Sequence, residues 1–263
     1  GTPKILEFNA DTPTSLLEAS VIQWQWKEDV FPECDQFNGI HEGLVQSWKD
    51  IFPKKGEIHF AGALENNEDT GTLQYLASTA MEAGFSTRVL DMQALDLQNG
   101  RFFDPAGELV NRCFKLYPWE WMVDESPDGC LAEMEWLEPI WKLVMSNKAI
   151  LATLYELFPD SPYVLPCYLS RPRSGLFCKK PVFSREGHNV SVVDIRDWEE
   201  YVRIAETEGD YNTGAYVYQE YVEPTAYSGR YPVIGSWIIG GEAAGIGIRE
   251  NRMEVTDNLS EFV

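Results

Sequence analysis

Apolar and polar positions change their period several times along the chain, and each change marks an element. Residues 5–9 form a short apolar run ending in polar residues, which reads as a buried strand. Pro13, Thr14 and Ser15 open a helix in which Leu17, Val21 and Trp24 recur at helical spacing, with Ser15 and Glu18 spaced as a capping box. A second helix is expected over 35–50, ended by Phe52-Pro53 and the Lys54-Lys55-Gly56 run. A strand at 58–64, a helix with Leu73, Leu76, Ala77 and Ala80 on one face, a closing Gly84 and a strand at 87–92 follow. That order is a βαβ unit, which requires a parallel sheet and a right-handed crossover. Residues 101–117 read as a hairpin around the turn Asp104-Pro105-Ala106-Gly107.

The second half differs in kind. A helix over 147–158 is bounded by Pro159 and Pro162, and strands are expected at 176–183, 190–193, 215–222 and 232–239. A charged helix over 196–208 interrupts them, and Gly240-Gly241 turns the chain into a last strand at 243–249. The fold class is therefore α/β in the mixed α+β sense: a parallel βαβ unit beside a mostly antiparallel sheet with helices.

Composition narrows the partners. An apolar fraction of 44% over 263 residues supports a sizeable core, and no apolar run approaches the roughly 18 residues of a membrane span. No membrane partner is expected. A net charge of −21 argues against nucleic acid, whose phosphates need a basic surface. It would suit a cationic substrate, although acidity is also common among soluble proteins at large. Five scattered cysteines with no C-x-x-C pair read as reduced thiols in a cytoplasmic protein. The chain opens on Gly1 rather than Met, so a further N-terminal segment is expected.

Several common chemistries are missing. The three histidines, His41, His59 and His188, fit no zinc pattern, and there is no G-x-S-x-G elbow and no Walker loop. Gly245-Ile246-Gly247 meets Glu250 where a dinucleotide fingerprint needs glycine.

Other residues are suggestive. Glu7 and Asn9 would share one face of the first strand, where a carboxylate and an amide oxygen suit Mg²⁺; alternatively both bond the turn at 10–13. Lys179-Lys180-Pro181 ends an apolar strand before Ser184-Arg185-Glu186-Gly187-His188-Asn189, a loop able to fold over phosphates but also ordinary for a hairpin. Lys148 opens a helix against its dipole, as a solvated surface lysine or as a functional one. Arg249 closes a glycine-punctuated strand, which would admit a ligand to the backbone or end in a salt bridge. Gln219-Glu220-Tyr221-Val222 alternates like an edge strand whose backbone could pair with a nucleotide base.

In order, these pieces resemble the synthetase domain of the glutathionylspermidine synthase family and its stand-alone relatives. The likeness runs along essentially the whole chain. It is most specific at Leu6-Glu7-Phe8-Asn9-Ala10-Asp11-Thr12-Pro13-Thr14-Ser15-Leu16-Leu17-Glu18-Ala19. Phe114-Lys115-Leu116-Tyr117-Pro118-Trp119-Glu120, Ser146-Asn147-Lys148-Ala149-Ile150-Leu151 and Lys180-Pro181 with its Ser184-to-Gly187 loop support it.

The resemblance implies a circularly permuted ATP-grasp fold like that of eukaryotic-type glutathione synthetase, with a pre-ATP-grasp βαβ subdomain. It divides the chain into 1–56, carrying the metal motif, 57–95, the βαβ unit, and 96–263, the nucleotide-binding and lid region. By the same resemblance Glu7 and Asn9 would hold Mg²⁺, two ions in all, and Lys148 and Lys180 the ATP phosphates. Arg185 with Ser184 and Gly187 would close over the γ-phosphate, Gln219 and Glu220 with neighbouring backbone would meet the adenine, and Arg249 would face an acyl phosphate. The family supplies a further metal carboxylate and an arginine upstream of Glu7, and larger members add an amidase domain.

The implied activity is an ATP-dependent acid–amine ligase. It would join a peptide carboxylate, for example a glutathione-like one, to an amine, for example a polyamine such as spermidine. Glu68 and Asp69, after the strand at 58–64, are candidates for binding that amine, or else satisfy a helix N-terminus. A non-catalytic nucleotide- or polyamine-binding protein and a phosphotransferase are the alternatives.

Overall fold

The computed structural model describes residues 1–197, 200–211, 214–252 and 260–263. These divide into two compact units, one of Ala10–Leu143, Ile234–Ile248 and Phe262–Val263, the other of Gly1–Asn9, Val144–Val233 and Arg249–Glu261.

In the first unit a π-helical stretch, Glu18–Ile22, runs into α1 (Gln23–Val30). Ser15 sits just before it with φ 64°, outside the extended geometry of a side-chain cap, and its carbonyl accepts from the Ala19 amide at 3.2 Å. The second helix, α2 (Ile40–Ile51), begins later than 35 because residues 36–39 are occupied elsewhere. Gly39 N–H donates to the Ala244 carbonyl at 2.7 Å, and the Asn38 side chain donates to the Ser20 carbonyl at 3.0 Å.

Strand β1 (Glu57–Gly62), α3 (Asn67–Glu82) and β2 (Ser86–Asp91) form the expected βαβ unit, with β1 and β2 parallel. Short strands β3 (Asp96–Gln98), β4 (Arg101–Phe103) and β5 (Leu109–Val110) make a small antiparallel sheet. The hairpin expected over 101–117 is only half present. Its turn is made by Asp104, whose carboxylate accepts from the Ala106 and Glu108 amides at 2.9 Å. The chain then leaves the hairpin, and β6 (Arg112–Leu116) pairs parallel with β1. The reason is burial: Cys113, Phe114, Lys115 and Leu116 are all enclosed, as a strand covered on both faces must be. After α4 (Trp119–Glu125) and α5 (Pro127–Cys130), β7 (Glu135–Leu137) completes a four-stranded parallel sheet in the order β2-β1-β6-β7. Its core packs Trp48 edge-on to Phe60 and Phe114, with ring centroids 5.6 and 6.3 Å apart, and the Trp48 indole donates to Thr79 Oγ1 at 2.8 Å.

The chain passes through α6 (Lys142–Ser146) to α7 (Ile150–Leu157), which opens the second unit's core. Strands β8 (Cys167–Tyr168), β9 (Gly175–Pro181), β10 (Ser191–Ile195), β11 (Tyr201–Glu206) and β12 (Tyr216–Glu220) form an antiparallel sheet in the order β11-β10-β9-β12-β8. Leu151 and Ala152 of α7 pack on Cys167 and Val217.

Two expectations fail here. Within 196–208 the described residues hold a tight turn and then β11, not a helix; residues 198–199 lie outside the description. Tyr201, Val202 and Ile204 favour extended backbone, and the charged positions suit an edge strand whose six residues are all exposed. Residues 5–9 are not a strand either, and they are exposed. Their backbone partners are described below.

Strands β13 (Tyr231–Ile239) and β14 (Glu242–Asn251) are joined at Gly240-Gly241, with φ 61° and 90°, the two left-handed positions a two-residue hairpin turn requires. Strand β15 (Glu261–Phe262) completes this sheet. All five cysteines are free thiols: Cys34 is exposed, Cys130 and Cys178 are half-buried, and Cys113 and Cys167 are buried. Among the described residues no helix is long and apolar enough to cross a membrane.

Candidate functional site

The second unit gathers most of the predicted site residues. The antiparallel register sets Lys180 opposite Val217 and Cys178 opposite Gln219, so Lys180 and Gln219 are diagonal neighbours on one face of the sheet. Lys180 is 8% exposed, and its ammonium donates to Gln219 Oε1 at 2.8 Å and to the Leu6 carbonyl at 3.0 Å. Gln219 Nε2 in turn donates to the Ile5 carbonyl at 2.9 Å, while the Ile5 amide donates to Tyr163 O at 2.9 Å. The segment at 5–9 is thus held by side chains projecting from a sheet, which is why its backbone forms no ladder.

Held this way, the segment presents Glu7 and Asn9 together, with Asn9 Nδ2 donating to Glu7 Oε1 at 3.3 Å. Lys148 lies just before α7 rather than in its first turn, and at 7% exposure it is not a solvated surface lysine. Its backbone N–H donates to Val182 O at 2.9 Å, its ammonium donates to Ser184 O at 2.6 Å, and that ammonium stands 3.4 Å from Glu7 Oε2. Glu7 is therefore an ionised carboxylate between two cations. Desolvation pushes its pKa up, but Lys148, Lys180 and the Asn9 amide outweigh this and hold it below the ordinary value. Solvent still reaches 43% of the Glu7 side chain. Burial lowers the pKa of Lys180, and Glu7 pulls against that shift.

The Ser184-to-Asn189 loop carries three left-handed residues, Glu186 (φ 56°), Gly187 (φ 70°) and Asn189 (φ 55°). Thr207 Oγ1 donates to Gly187 O at 2.5 Å, His188 N to Arg185 O at 2.9 Å and Asn189 Nδ2 to Gly209 O at 2.8 Å, so the loop is anchored despite its strain. The Ser184 hydroxyl is buried with no hydrogen-bond partner, and Arg185 is half-buried. Glu220 is exposed at the end of β12, its amide donating to Pro166 O at 2.7 Å. Arg249 lies half-buried in β14 and belongs to the same unit.

Glu68 and Asp69 belong to the other unit. They occupy the first turn of α3, where Asn66 caps the helix by accepting from the Glu68 amide at 2.8 Å. That unit also contains a pair not singled out by spacing. Lys115 and Asp11 are both fully buried, with Lys115 Nζ donating to Asp11 Oδ1 at 2.5 Å and to Tyr117 O at 2.8 Å, while Asp11 Oδ2 accepts from the Trp119 amide at 2.8 Å. The signal was present in the sequence: a lysine inside the run Cys113-Phe114-Lys115-Leu116 needs an acid to accompany it.

Known proteins resemble this chain in fold and in sequence. A Methylobacillus flagellatus crystal structure named as a gamma-glutamylcysteine synthetase superposes with a TM-score of 0.62 at 11% identity, over 96% of this chain and 74% of that one. A glutathione synthetase-like effector from Globodera pallida in its apo form superposes at 0.56 and 10% identity, over 98% and 70%. These likenesses define the class, an ATP-grasp fold of the glutathione synthetase kind. The sequence profile of the glutathionylspermidine synthase preATP-grasp family matches residues 1–263, and the chain belongs to that family. It is an enzyme of the carbon–nitrogen ligase class. A Haemophilus influenzae protein named as an acid–amine ligase is 37% identical over 99% of this chain and 70% of its own length. The trypanothione synthetase of Crithidia fasciculata is 28% identical and the bifunctional glutathionylspermidine synthetase/amidase of Escherichia coli 26%. The chain spans 44% and 46% of those two longer proteins.

Proposed function

We propose that the chain catalyses ATP-dependent ligation of a peptide carboxylate to an amine, and that the cluster of Glu7, Asn9, Lys148 and Lys180 is where the magnesium nucleotide binds. One observation carries this reading: an ionised carboxylate bonded by an amide stands 3.4 Å from one buried ammonium, and a second buried ammonium donates to the carbonyl of the preceding residue, so that three separate chain segments converge. Two cations beside one carboxylate leave a positive excess, which a triphosphate would offset. The donor set fits such a group. Lys180 uses two of its three N–H groups on protein oxygens, and the Ser184 hydroxyl is buried without a partner. Among the described residues no three acidic, histidine or cysteine side chains are arranged around a metal. Glu7 and Asn9 would therefore hold Mg²⁺ jointly with phosphate oxygens, as this small hard cation prefers.

Lys148 and Lys180 would take the phosphates, with Arg185, Ser184 and Gly187 serving the terminal one. Glu220 and the adjoining backbone of β12 would serve the base, and Arg249 the activated acyl group. Bound nucleotide supplies the phosphoryl group that activates the substrate carboxylate. The amine then attacks the acyl carbon, the C–O bond to phosphate breaks, and the amine's proton is lost as the amide forms. The protein contributes positioning and charge. A polyamine is the amine that the net charge of −21 favours.

The test is incubation with Mg-ATP, a peptide pool and a polyamine pool, read by mass spectrometry. Ligation gives ADP, phosphate and an amine-dependent product of condensation mass. A stable phosphorylated product would instead identify a phosphotransferase, and nucleotide binding without turnover a non-catalytic protein.

A further inference from the structure

Gln219 is the residue whose geometry departs furthest from a base-reading role. Its side chain is 2% exposed, and both ends are committed. Lys180 can only donate and the Ile5 carbonyl can only accept, so the amide has one workable orientation, with Oε1 toward Lys180 and Nε2 toward Ile5. A flipped amide would set donor against donor and acceptor against acceptor. Lys180 in turn reaches Leu6 O. A closed circuit results, from β12 through the amide to β9 and back to the two residues preceding Glu7.

We propose that Gln219 is a positioning residue: its side-chain amide fixes the Lys180 ammonium and the Glu7 segment in one register, so that the phosphate-binding cation and the metal-binding carboxylate are set by the same side chain. This rests on the nucleotide reading above. No sheet ladder holds residues 5–9, so the segment depends on such side-chain bonds for its placement. A site held to fractions of an ångström needs its supporting groups locked in this way. Adenine contacts at this strand then come from the backbone and from Glu220, not from the Gln219 amide.

The experiment is Gln219→Met, which keeps length and volume but removes both hydrogen-bonding ends. In nucleotide-free protein, hydrogen–deuterium exchange at the Ile5 amide is expected to speed up about tenfold, as loss of roughly one hydrogen bond allows, with β9 and β12 unchanged. In the ligation assay kcat/KM for ATP falls about 10–100-fold, as for other groups that orient a ligand-binding residue, while KM for the carboxylate and the amine stays put. In a Lys180→Ala background the same substitution costs less than in the wild type, because the part of its effect that runs through Lys180 is already gone. If the Met variant does not fold, Gln219→Glu replaces it. It keeps an acceptor for Lys180 but sets an oxygen against Ile5 O, so exchange at Ile5 still rises and kcat/KM for ATP still falls. Unchanged exchange at Ile5, a uniform rise across the sheet, or an equal loss in both backgrounds overturns the proposal. A wild-type protein that neither binds nor hydrolyses ATP overturns the nucleotide reading instead, and the exchange result still judges the link from Gln219 to the segment.

Discussion

Glu7 and Asp11 are four residues apart in one motif, and each meets a lysine, yet the two pairs are built for opposite ends. Asp11 and Lys115 are fully buried. The lysine has Asp11 and Tyr117 O, the acid has Lys115 and the Trp119 amide, and the Lys115 ammonium also rests 4.4 Å from the centre of the Trp119 ring. Glu7 faces two lysines with 43% of its side chain open to solvent, one Lys180 N–H is left over, and the Ser184 hydroxyl nearby is unpartnered. A pair sealed from solvent holds a chain in place. One that solvent reaches is a place for something else to bind, and access separates the two better than charge does, since Lys115 and Lys180 each make two hydrogen bonds.

The comparison can be broken most directly at the open pair. Lys148→Ala is expected to abolish amine-dependent ATP hydrolysis, by about 10³-fold or more as for other phosphate-clamping cations. Its cost in stability stays near 1–2 kcal/mol, since the Ser184 carbonyl loses a donor and the half-exposed Glu7 loses one of its two cations. Steady-state phosphate release together with thermal melting measures both, and unimpaired turnover would remove Lys148 from the mechanism. The sealed pair predicts the reverse. Lys115→Met strands Asp11 and costs about 3–5 kcal/mol in denaturant unfolding, and the double variant with Asp11→Leu recovers much of that, because no lone charge remains buried.

Glu7→Gln keeps the shape but removes the charge between the lysines. The Mg²⁺ concentration for half-maximal activity is expected to rise about 10–100-fold, on the scale seen when a metal site loses a supporting group, with a small loss of stability because the charge facing two buried lysines is gone. Equal Mg²⁺ demand in both proteins would move the metal elsewhere. The smallest effect concerns His59, 2% exposed in β1, with Glu57 at 3.6 Å and Asp104 at 3.8 Å. Burial holds its pKa below 6.5, against the pull of Glu57 and Asp104. The unfolded chain therefore binds the proton first, and the first unit loses stability as pH falls below about 6.5. His59→Gln flattens that slope in melting curves taken from pH 7 downward; an unaltered slope assigns it to other groups.

Sequence pattern revealed the βαβ unit because its signals are local: a switch of period from 2 to 3.6, with Gly84 closing the helix. The same reading made a strand of residues 5–9, because Ile5, Leu6 and Phe8 look like one. The bonds that decide otherwise come from Lys180 and Gln219, 174 and 214 residues away. Charges at 196–208 suggested a helical face, where β11 is an edge strand exposed along its length. The candidate lysines were visible as residues out of place, one before a helix and one in an apolar strand. Their convergence on Glu7 was not, since nothing in the spacing from 7 to 148 to 180 encodes it. Gln219 stood out for its place on a strand, but its bonds depend on antiparallel register, which a single sequence does not carry.

The five thiols offer a practical opening. Cys113 and Cys167 are enclosed, and burial pushes them to about 12 and about 11, while the half-buried Cys130 and Cys178 are also raised. At neutral pH these four are protonated and sluggish toward electrophiles, whereas Cys34 stands in solvent. A maleimide dye would thus attach at Cys34 in preference to the rest. The native polypeptide carries its own address for a fluorescent reporter, without prior removal of cysteines.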